Sequence, residues 1–244
     1  MKNHAPLALI SLLCVFSLFC GIGYISQSPA SAEAFASQWQ APVIIIDPGH
    51  GGADGGAVGI NGAVEKDINL AVSLQLADLL RLAGCSVVLT RTDDRSIHDE
   101  GVTGLKNQKT SDLHNRLTIM EQYPDGVVLS IHQNQFSQSK YSGAQVFYGS
   151  QKPDASQKLA EIMQNSLKTM LQPKNNRQIK PAYDRLYLMN HAPSAAVLVE
   201  CGFLSNPDEA QQLTQPDYQR KLAFTICAAT LQFLQEEMPY GNQI

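Results

Sequence analysis

Residues 42–52 read PVIIIDPGHGG, an unbroken apolar run that ends in a polar, glycine-rich turn. The run is short and rich in β-branched residues, so it predicts a buried strand over residues 42–47. Further runs of this kind lie at residues 86–90, 126–131, 144–148 and 195–200. Such runs, bounded by glycine, proline or aspartate, are typical of strands that are covered on both faces.

Longer segments with a helical spacing of apolar residues separate most of these runs. They cover residues 66–83, 111–123, 154–171 and 217–236. Parallel strands need crossover connections, and helices in those connections cover the sheet. We therefore expect an α/β fold in a single domain, with a twisted, mostly parallel sheet of about six strands and helices on both faces.

The first 32 residues differ in character from the rest of the chain. Lys2 is their one charged residue, residues 5–25 carry no charge, and Ala30 to Ala32 form a small-x-small site. This order is typical of a secretory signal. The apolar run also approaches the roughly 20 residues that span a bilayer. We expect an exported, extracytoplasmic protein in which residues 1–32 are either a cleaved signal or a retained membrane anchor.

The remaining sequence predicts a linker over residues 33–41, one folded domain over residues 42–238 and a tail over residues 239–244. The composition, 44% hydrophobic and 16% charged, excludes a disordered chain. The net charge of −4 leaves no basic surplus for binding phosphate backbones, so we expect no nucleic-acid partner. Contact with a membrane is expected only through the N-terminal segment.

Polar side chains follow the predicted strands where each one ends. His50 comes after the first, and His132 lies at the end of the third. Because the carboxyl ends of parallel strands meet at one edge, we expect these imidazoles to lie close together. Two imidazoles in an exported protein favour zinc, which needs a third protein ligand in a catalytic site. Glu65 is the leading choice, although a carboxylate at the start of a helix also stabilises the helix dipole, and both roles stay open.

Glu200 ends an apolar run, where a carboxylate loses hydration and needs a nearby cation or water. We interpret it as a general base that activates water and then protonates a leaving nitrogen, which suits amide hydrolysis. Arginine side chains such as those of Arg91 and Arg116 are mostly solvated. An arginine at the end of a strand could nevertheless bind a substrate carboxylate. Together with Asn134 they form the predicted set of substrate-binding residues.

Four blocks of sequence, in this order, resemble the zinc-dependent N-acetylmuramoyl-L-alanine amidases. The blocks are residues 47–52 (DPGHGG), Glu65, residues 130–134 (SIHQN) and residues 200–206 (ECGFLSN). The resemblance covers about residues 43–234. It implies hydrolysis of the amide that joins the lactyl group of N-acetylmuramic acid to L-alanine in peptidoglycan. It also implies one Zn²⁺ per chain, held by His50, Glu65 and His132, with Glu200 as the catalytic carboxylate.

Three further segments look like those of the germination-specific, spore-cortex amidases of spore-forming bacteria. These are residues 101–104 (GVTG), 141–148 (YSGAQVFY) and 186–190 (LYLMN). The likeness implies a place at the spore cortex, where peptides are removed so that muramic δ-lactam can be made. It also implies a lipoprotein that activates the enzyme.

Two other functions are compatible with the sequence. Cys201 could be the nucleophile of a cysteine-dependent amide hydrolase, with His132 or His50 as its base. Alternatively, the chain could be a non-catalytic protein that binds peptidoglycan or regulates a partner. Cys85, Cys201 and Cys227 are widely spaced and odd in number, so they do not form a disulfide scaffold, and at most one bridge could join two of them.

Overall fold

The structure is a computed structural model that describes residues 42–237. The predicted signal or anchor over residues 1–32, the linker over residues 33–41 and the tail over residues 239–244 lie outside the described residues, as does residue 238. No helix within the described part of the chain is long and apolar enough to span a bilayer.

The described residues contain six strands and six α-helices. The strands are β1 (Ile44–Pro48), β2 (Val87–Leu89), β3 (Val127–Asn134), β4 (Gln145–Tyr148), β5 (Lys180–Pro181) and β6 (Ala195–Phe203). The helices are α1 (Glu65–Leu82), α2 (Leu105–Glu121), α3 (Pro153–Ser166), α4 (Tyr187–His191), α5 (Pro207–Leu213) and α6 (Pro216–Glu237). A π-helical turn, Leu167–Leu171, continues α3.

The strands form one sheet in the order β2-β1-β3-β6-β4-β5. The pairs of β1 with β2, β1 with β3 and β3 with β6 are parallel. β4 runs antiparallel to β6 and pairs in parallel with β5. The predicted α/β fold with a mostly parallel six-stranded sheet is confirmed, and the sheet is mixed at the side formed by β4 and β5.

Apolar side chains are buried on both faces of the sheet, as predicted. On one face, β-strand residues such as Ile44, Leu129 and Val197 pack against α1, α3 and α6. On the other face, residues such as Ile45 and Val128 pack against α2 and the short α4. Since side chains alternate along a strand, the polar residues at even-numbered positions of β3 and β6 lie on this second, less covered face.

The structure differs from the predicted elements at several positions. α2 begins at Leu105 rather than at residue 111. The sequence did not predict its first turns because they are polar and have no periodic spacing of apolar residues. The predicted helix over residues 154–171 ends its α-helical part at Ser166. The sequence interpretation missed β5, α4 and α5, each of which has two to seven residues and is too short for periodicity to detect.

Candidate active site

The strand register brings four predicted site residues to one edge of the sheet. His50 follows β1, His132 lies in β3, and Glu200 lies in β6 directly paired with His132. Glu65 is the first residue of α1, and the loop between β1 and α1 returns it to the same edge. Residues far apart in the sequence therefore surround one point above the carboxyl ends of the parallel strands.

His50, Glu65 and His132 have the arrangement of a metal-binding triad. The Glu65 carboxylate lies between the two imidazoles, with Oε2 at 3.3 Å from His50 Nε2 and Oε1 at 2.9 Å from His132 Nδ1. One ligand atom from each residue lies within 4.8 Å of the others. Three ligand atoms this close together could hold a metal ion.

The glycine-rich loop after β1 places His50 in an uncommon backbone conformation. His50 has a φ of 63°, which non-glycine residues rarely adopt. A Cβ atom at Gly49 would overlap the His132 ring, and one at Gly56 would overlap the His50 ring and the Glu65 carboxylate. Glycine at these two positions therefore lets the backbone approach the triad closely.

Asp54 orients His50 from the side away from the triad. Its Oδ2 lies 2.9 Å from His50 Nδ1, and its Oδ1 lies 2.7 Å from Lys109 Nζ. Burial alone would lower the pKa of His50, but its hydrogen bonds and charge interactions with Asp54 and Glu65 raise it to about 9. A carboxylate that fixes one ring nitrogen leaves the other to face a metal. The sequence interpretation assigned no role to Asp54, although it lies four residues after His50.

Glu65 is held by backbone amides as well as by the imidazoles. Its Oε2 accepts a hydrogen bond from Ala57 N at 2.8 Å, and its Oε1 accepts one from Gln133 N at 3.0 Å. Burial would raise the pKa of this carboxyl, but hydrogen bonds to His132 and His50 and their charges hold it well below its usual range. Glu65 is thus both the first residue of a helix and the carboxylate between two imidazoles.

Glu200 lies beside the triad with little compensation for its own charge. Its Oε2 atom is buried and has no hydrogen-bond partner among the described residues. Burial raises the pKa of Glu200 to about 7, the charge of Glu65 adds to this effect, and the charges of His132 and His50 oppose it. A carboxyl with a pKa near neutrality can both accept and donate a proton at physiological pH.

A cleft of about 220 Å³ opens over the triad on the less covered face of the sheet. It is lined by His50, His132, Asp54 and Lys109, and Leu113 and Leu188 contribute apolar surface. Since His50 and His132 are only half-buried, both imidazoles are open to solvent through this cleft.

Arg91 and Arg116 are buried, and their predicted contact with substrate stays a prediction. Their residues are 1% and 2% exposed. Arg91 donates hydrogen bonds to the carbonyl oxygens of Pro48, Gly49, Lys66 and Asp93, at 2.8 to 3.1 Å. Arg116 donates to Asp47, Asp112 and the carbonyl oxygens of Pro48 and His50, at 2.6 to 2.8 Å. Both guanidinium groups therefore hold the loop that carries His50.

Asn134 and Gln133 lie next to His132 but differ in their surroundings. Asn134, the last residue of β3, is half-buried, and its side-chain amide has no hydrogen-bond partner within residues 42–237. Its proposed contact with substrate stays a prediction. The buried Gln133 donates from Nε2 to Asn69 Oδ1 at 3.1 Å, which ties the end of β3 to α1.

The cysteine-hydrolase alternative does not fit the geometry. Cys201 is fully buried among apolar residues on the face of the sheet opposite the cleft. Burial raises the pKa of its thiol to about 12, so the nucleophilic thiolate is not formed near neutral pH. Cys85, Cys201 and Cys227 are all free thiols in the structure.

The family described as Amidase_3, N-acetylmuramoyl-L-alanine amidase, matches residues 44–232. The chain belongs to this family. It is therefore an N-acetylmuramoyl-L-alanine amidase, a hydrolase, and the family resemblance predicted from the four sequence blocks is confirmed.

Several Amidase_3 relatives are similar over most of the chain. The germination-specific N-acetylmuramoyl-L-alanine amidase of Bacillus subtilis is 36% identical over 203 residues, which cover 82% of this chain and 84% of the relative. AmiA of Escherichia coli is 27% identical over 232 residues, covering 78% of this chain and 75% of AmiA. Among solved structures, the CwlD amidase of Clostridioides difficile, in complex with the GerS lipoprotein, matches with a TM-score of 0.76 and 40% identity, over 80% of this chain and 99% of that one.

Proposed function

We propose that this amidase is zinc-dependent, that it hydrolyses the amide between the lactyl group of N-acetylmuramic acid and L-alanine in peptidoglycan, and that it acts in maturation of the spore cortex. The observation that carries the chemical part is the convergence of His50, Glu65 and His132 with Glu200, whose buried Oε2 has no hydrogen-bond partner within residues 42–237. The similarity to germination-specific relatives supports the biological part.

The donor set fits zinc. Zn²⁺ prefers imidazole nitrogen and carboxylate oxygen, and catalytic zinc sites use three such protein ligands and leave one position open. His50, Glu65 and His132 would hold one ion per chain, and Asp54 would act as the outer partner of His50. Bound there, zinc would polarise the substrate carbonyl and lower the pKa of water.

Glu200 carries the proton transfers in this proposal. Its buried carboxylate takes a proton from the attacking water, whose oxygen forms a bond to the lactyl carbonyl carbon. The same carboxyl then gives the proton to the nitrogen of L-alanine as the carbon–nitrogen bond breaks. The products are a free lactyl carboxylate on the sugar and a peptide with a free amino group. A pKa near 7 suits both halves of this cycle.

The place of action and the partner follow from relatives and from the N-terminal sequence. Export through residues 1–32, as a signal or an anchor, would bring the enzyme to peptidoglycan outside the cytoplasmic membrane. A relative has been solved in complex with a lipoprotein, and we propose that a lipoprotein activates this chain as well. Removal of peptides from muramic acid would prepare cortex glycan for formation of muramic δ-lactam.

Metal content and activity test the chemical part together. We expect purified protein to hold one Zn²⁺ per chain. The His50→Ala and His132→Ala proteins should lose the ion on dialysis, and they should no longer release peptides from peptidoglycan. His114→Ala is the matched control, since His114 is an exposed histidine of α2 outside the triad. Elemental analysis and the new amino groups of released peptides are the measurements. A His132→Ala protein that keeps both zinc and activity would contradict the assignment, and glycan binding without release by any zinc-loaded protein would favour a binding function.

A complementation experiment tests the cortex role. We expect this chain, expressed during sporulation in Bacillus subtilis that lacks its germination-specific amidase, to restore muramic δ-lactam in the cortex. The same strain with Glu200→Gln should show none, although the protein is present. Chromatography of digested cortex measures the lactam. If the wild-type chain is exported and cleaves peptidoglycan but yields no lactam, the cortex role is wrong while the amidase chemistry stands.

A further inference from the structure

Arg177 lies beyond the described site on the same edge of the sheet. It belongs to the segment between the π-helical turn and β5. Its Nε donates a hydrogen bond to the carbonyl oxygen of Ser142 at 2.8 Å, and its Nη1 donates to Gln145 Oε1 at 3.1 Å. Its guanidinium carbon lies 4.3 Å from the centre of the Phe203 ring. The Phe203 ring therefore covers one face of the guanidinium group, and the hydrogen bonds from Nε and Nη1 fix its orientation. Its Nη2 has no acceptor within residues 42–237.

The charge of Arg177 is not neutralised by an ion pair in the described part of the chain. Burial lowers the pKa of its guanidinium, and the charge of Glu209 opposes that effect. Glu209 forms no salt bridge with Arg177, and its Oε1 and Oε2 accept hydrogen bonds from Gly143 N and Phe203 N, both at 2.8 Å. A half-buried cation held by neutral groups is costly unless an anion joins it.

The position of Arg177 relative to Glu200 follows from the strand register. Gln145, at the start of β4, is directly paired with Glu200 of β6, so both side chains lie on the same face. The Cα atoms of paired residues lie about 5 Å apart. Arg177 contacts the far end of the Gln145 side chain, Oε1. We therefore expect the guanidinium to lie roughly 10 Å from the Glu200 carboxyl. An extended peptide spans at most about 3.5 Å per residue. That separation corresponds to two or three residues from the amide that is cleaved.

We propose that Arg177 forms a subsite that binds a carboxylate of the substrate peptide, two or three residues beyond the cleaved amide. The proposal rests on the proposed role of Glu200, which sets the position of that amide. Arginine suits the task because its planar donors match a carboxylate, and Nη2 supplies an unused donor. The row of site residues then runs across the sheet edge from the triad through Glu200 and Gln145 to Arg177.

Matched substrates test the subsite directly. Muramoyl peptides that begin with L-alanine would carry either a glutamic acid or a glutamine at the second or third residue, and the full chain would be supplied with Zn²⁺. We expect wild-type kcat/KM to be about 10-fold or more higher for the carboxylate peptide, mainly through KM. Arg177→Gln should bring that ratio close to 1, and Arg177→Lys should keep part of it. Arg220→Gln is the control, because Arg220 is an exposed arginine of α6 that pairs with Asp217.

The outcomes separate this proposal from the proposed function. Equal rates of the wild type on both peptides, or an unchanged ratio in Arg177→Gln, would overturn the subsite. Cleavage of the glutamine peptide at the wild-type rate by Arg177→Gln would show that the chemistry is intact and that the effect is one of recognition. If no protein cleaves either peptide, calorimetry of the free acidic peptide measures binding instead. About 10-fold weaker binding to Arg177→Gln than to the wild type would support the subsite, and equal binding to both proteins would refute it. Thermal melting of each variant controls for folding.

Discussion

Replacing Glu200 by glutamine is expected to lower kcat for peptide release by about 10²- to 10⁴-fold, the usual contribution of a general acid–base group. Glutamine keeps the shape of the side chain but can neither accept the proton of water nor return it to the leaving nitrogen. Zinc content should stay at one per chain, because Glu200 is not a member of the triad. The melting temperature should be equal or higher, since a carboxyl whose buried Oε2 has no partner in the described part of the chain is replaced by a neutral amide.

Peptidoglycan digestion with purified, zinc-loaded protein measures this effect. Glu161→Gln is the control, because Glu161 is an exposed residue of α3 on the face of the sheet opposite the cleft. A Glu200→Gln protein that holds zinc and releases peptides at the wild-type rate would rule out the proposed proton transfers.

Arg116→Met is expected to reduce the free energy of unfolding by about 3–5 kcal/mol, the cost of breaking a buried ion pair on one side. Arg116 lies at 2.6 Å from both Asp47 Oδ1 and Asp112 Oδ2. Methionine replaces the apolar stem of arginine but leaves the buried Asp47 carboxylate without its counterion and frees the His50 carbonyl. Chemical denaturation measures the loss, and Lys106→Met, at an exposed position of the same helix, should change stability by less than about 0.5 kcal/mol.

The same substitution should move acid unfolding to higher pH. Burial alone would raise the pKa of Asp47, but the charges of Arg116 and His132 and hydrogen bonds from Ser130 and Thr90 lower it to about 2. A lowered carboxyl pKa gives stability that is present above about pH 4 and is lost as the pH falls towards 2. Without Arg116 that window shifts upward. An unfolding free energy within 1 kcal/mol of the wild type would show that the arginine is not needed to hold this loop.

The sequence predicted those parts of the fold that have a clear period or an uninterrupted apolar run. α1 and β3 are examples, because their patterns extend over enough residues to be distinctive. The direction of β4 could not be read from its four residues, since a short apolar strand looks the same in either direction. The ten residues between β3 and β4 contain no helix, and β4 runs opposite to β3 with β6 lying between them.

The grouping of His50, Glu65 and His132 could be predicted because histidine and glutamate at strand ends are chemically distinctive. The roles of Arg91 and Arg116 could not, because nothing local distinguishes a solvated arginine from one that binds carbonyl groups of a distant loop. α5 did carry a local signal that was missed. Asn206 caps this helix by accepting hydrogen bonds from the backbone amides of Asp208 and Glu209, and Pro207 occupies the first turn.

The antiparallel direction of β4 also separates two tasks along the chain. Because β4 starts where the parallel strands end, the segments around residues 141–145 and 172–179 reach the catalytic edge without passing through the strands and loops that carry the triad. We expect substitutions in these segments to change which peptides are preferred while the candidate metal-binding residues stay unchanged. Preference for a substrate and the chemistry of cleavage would then be separable properties of this sheet edge.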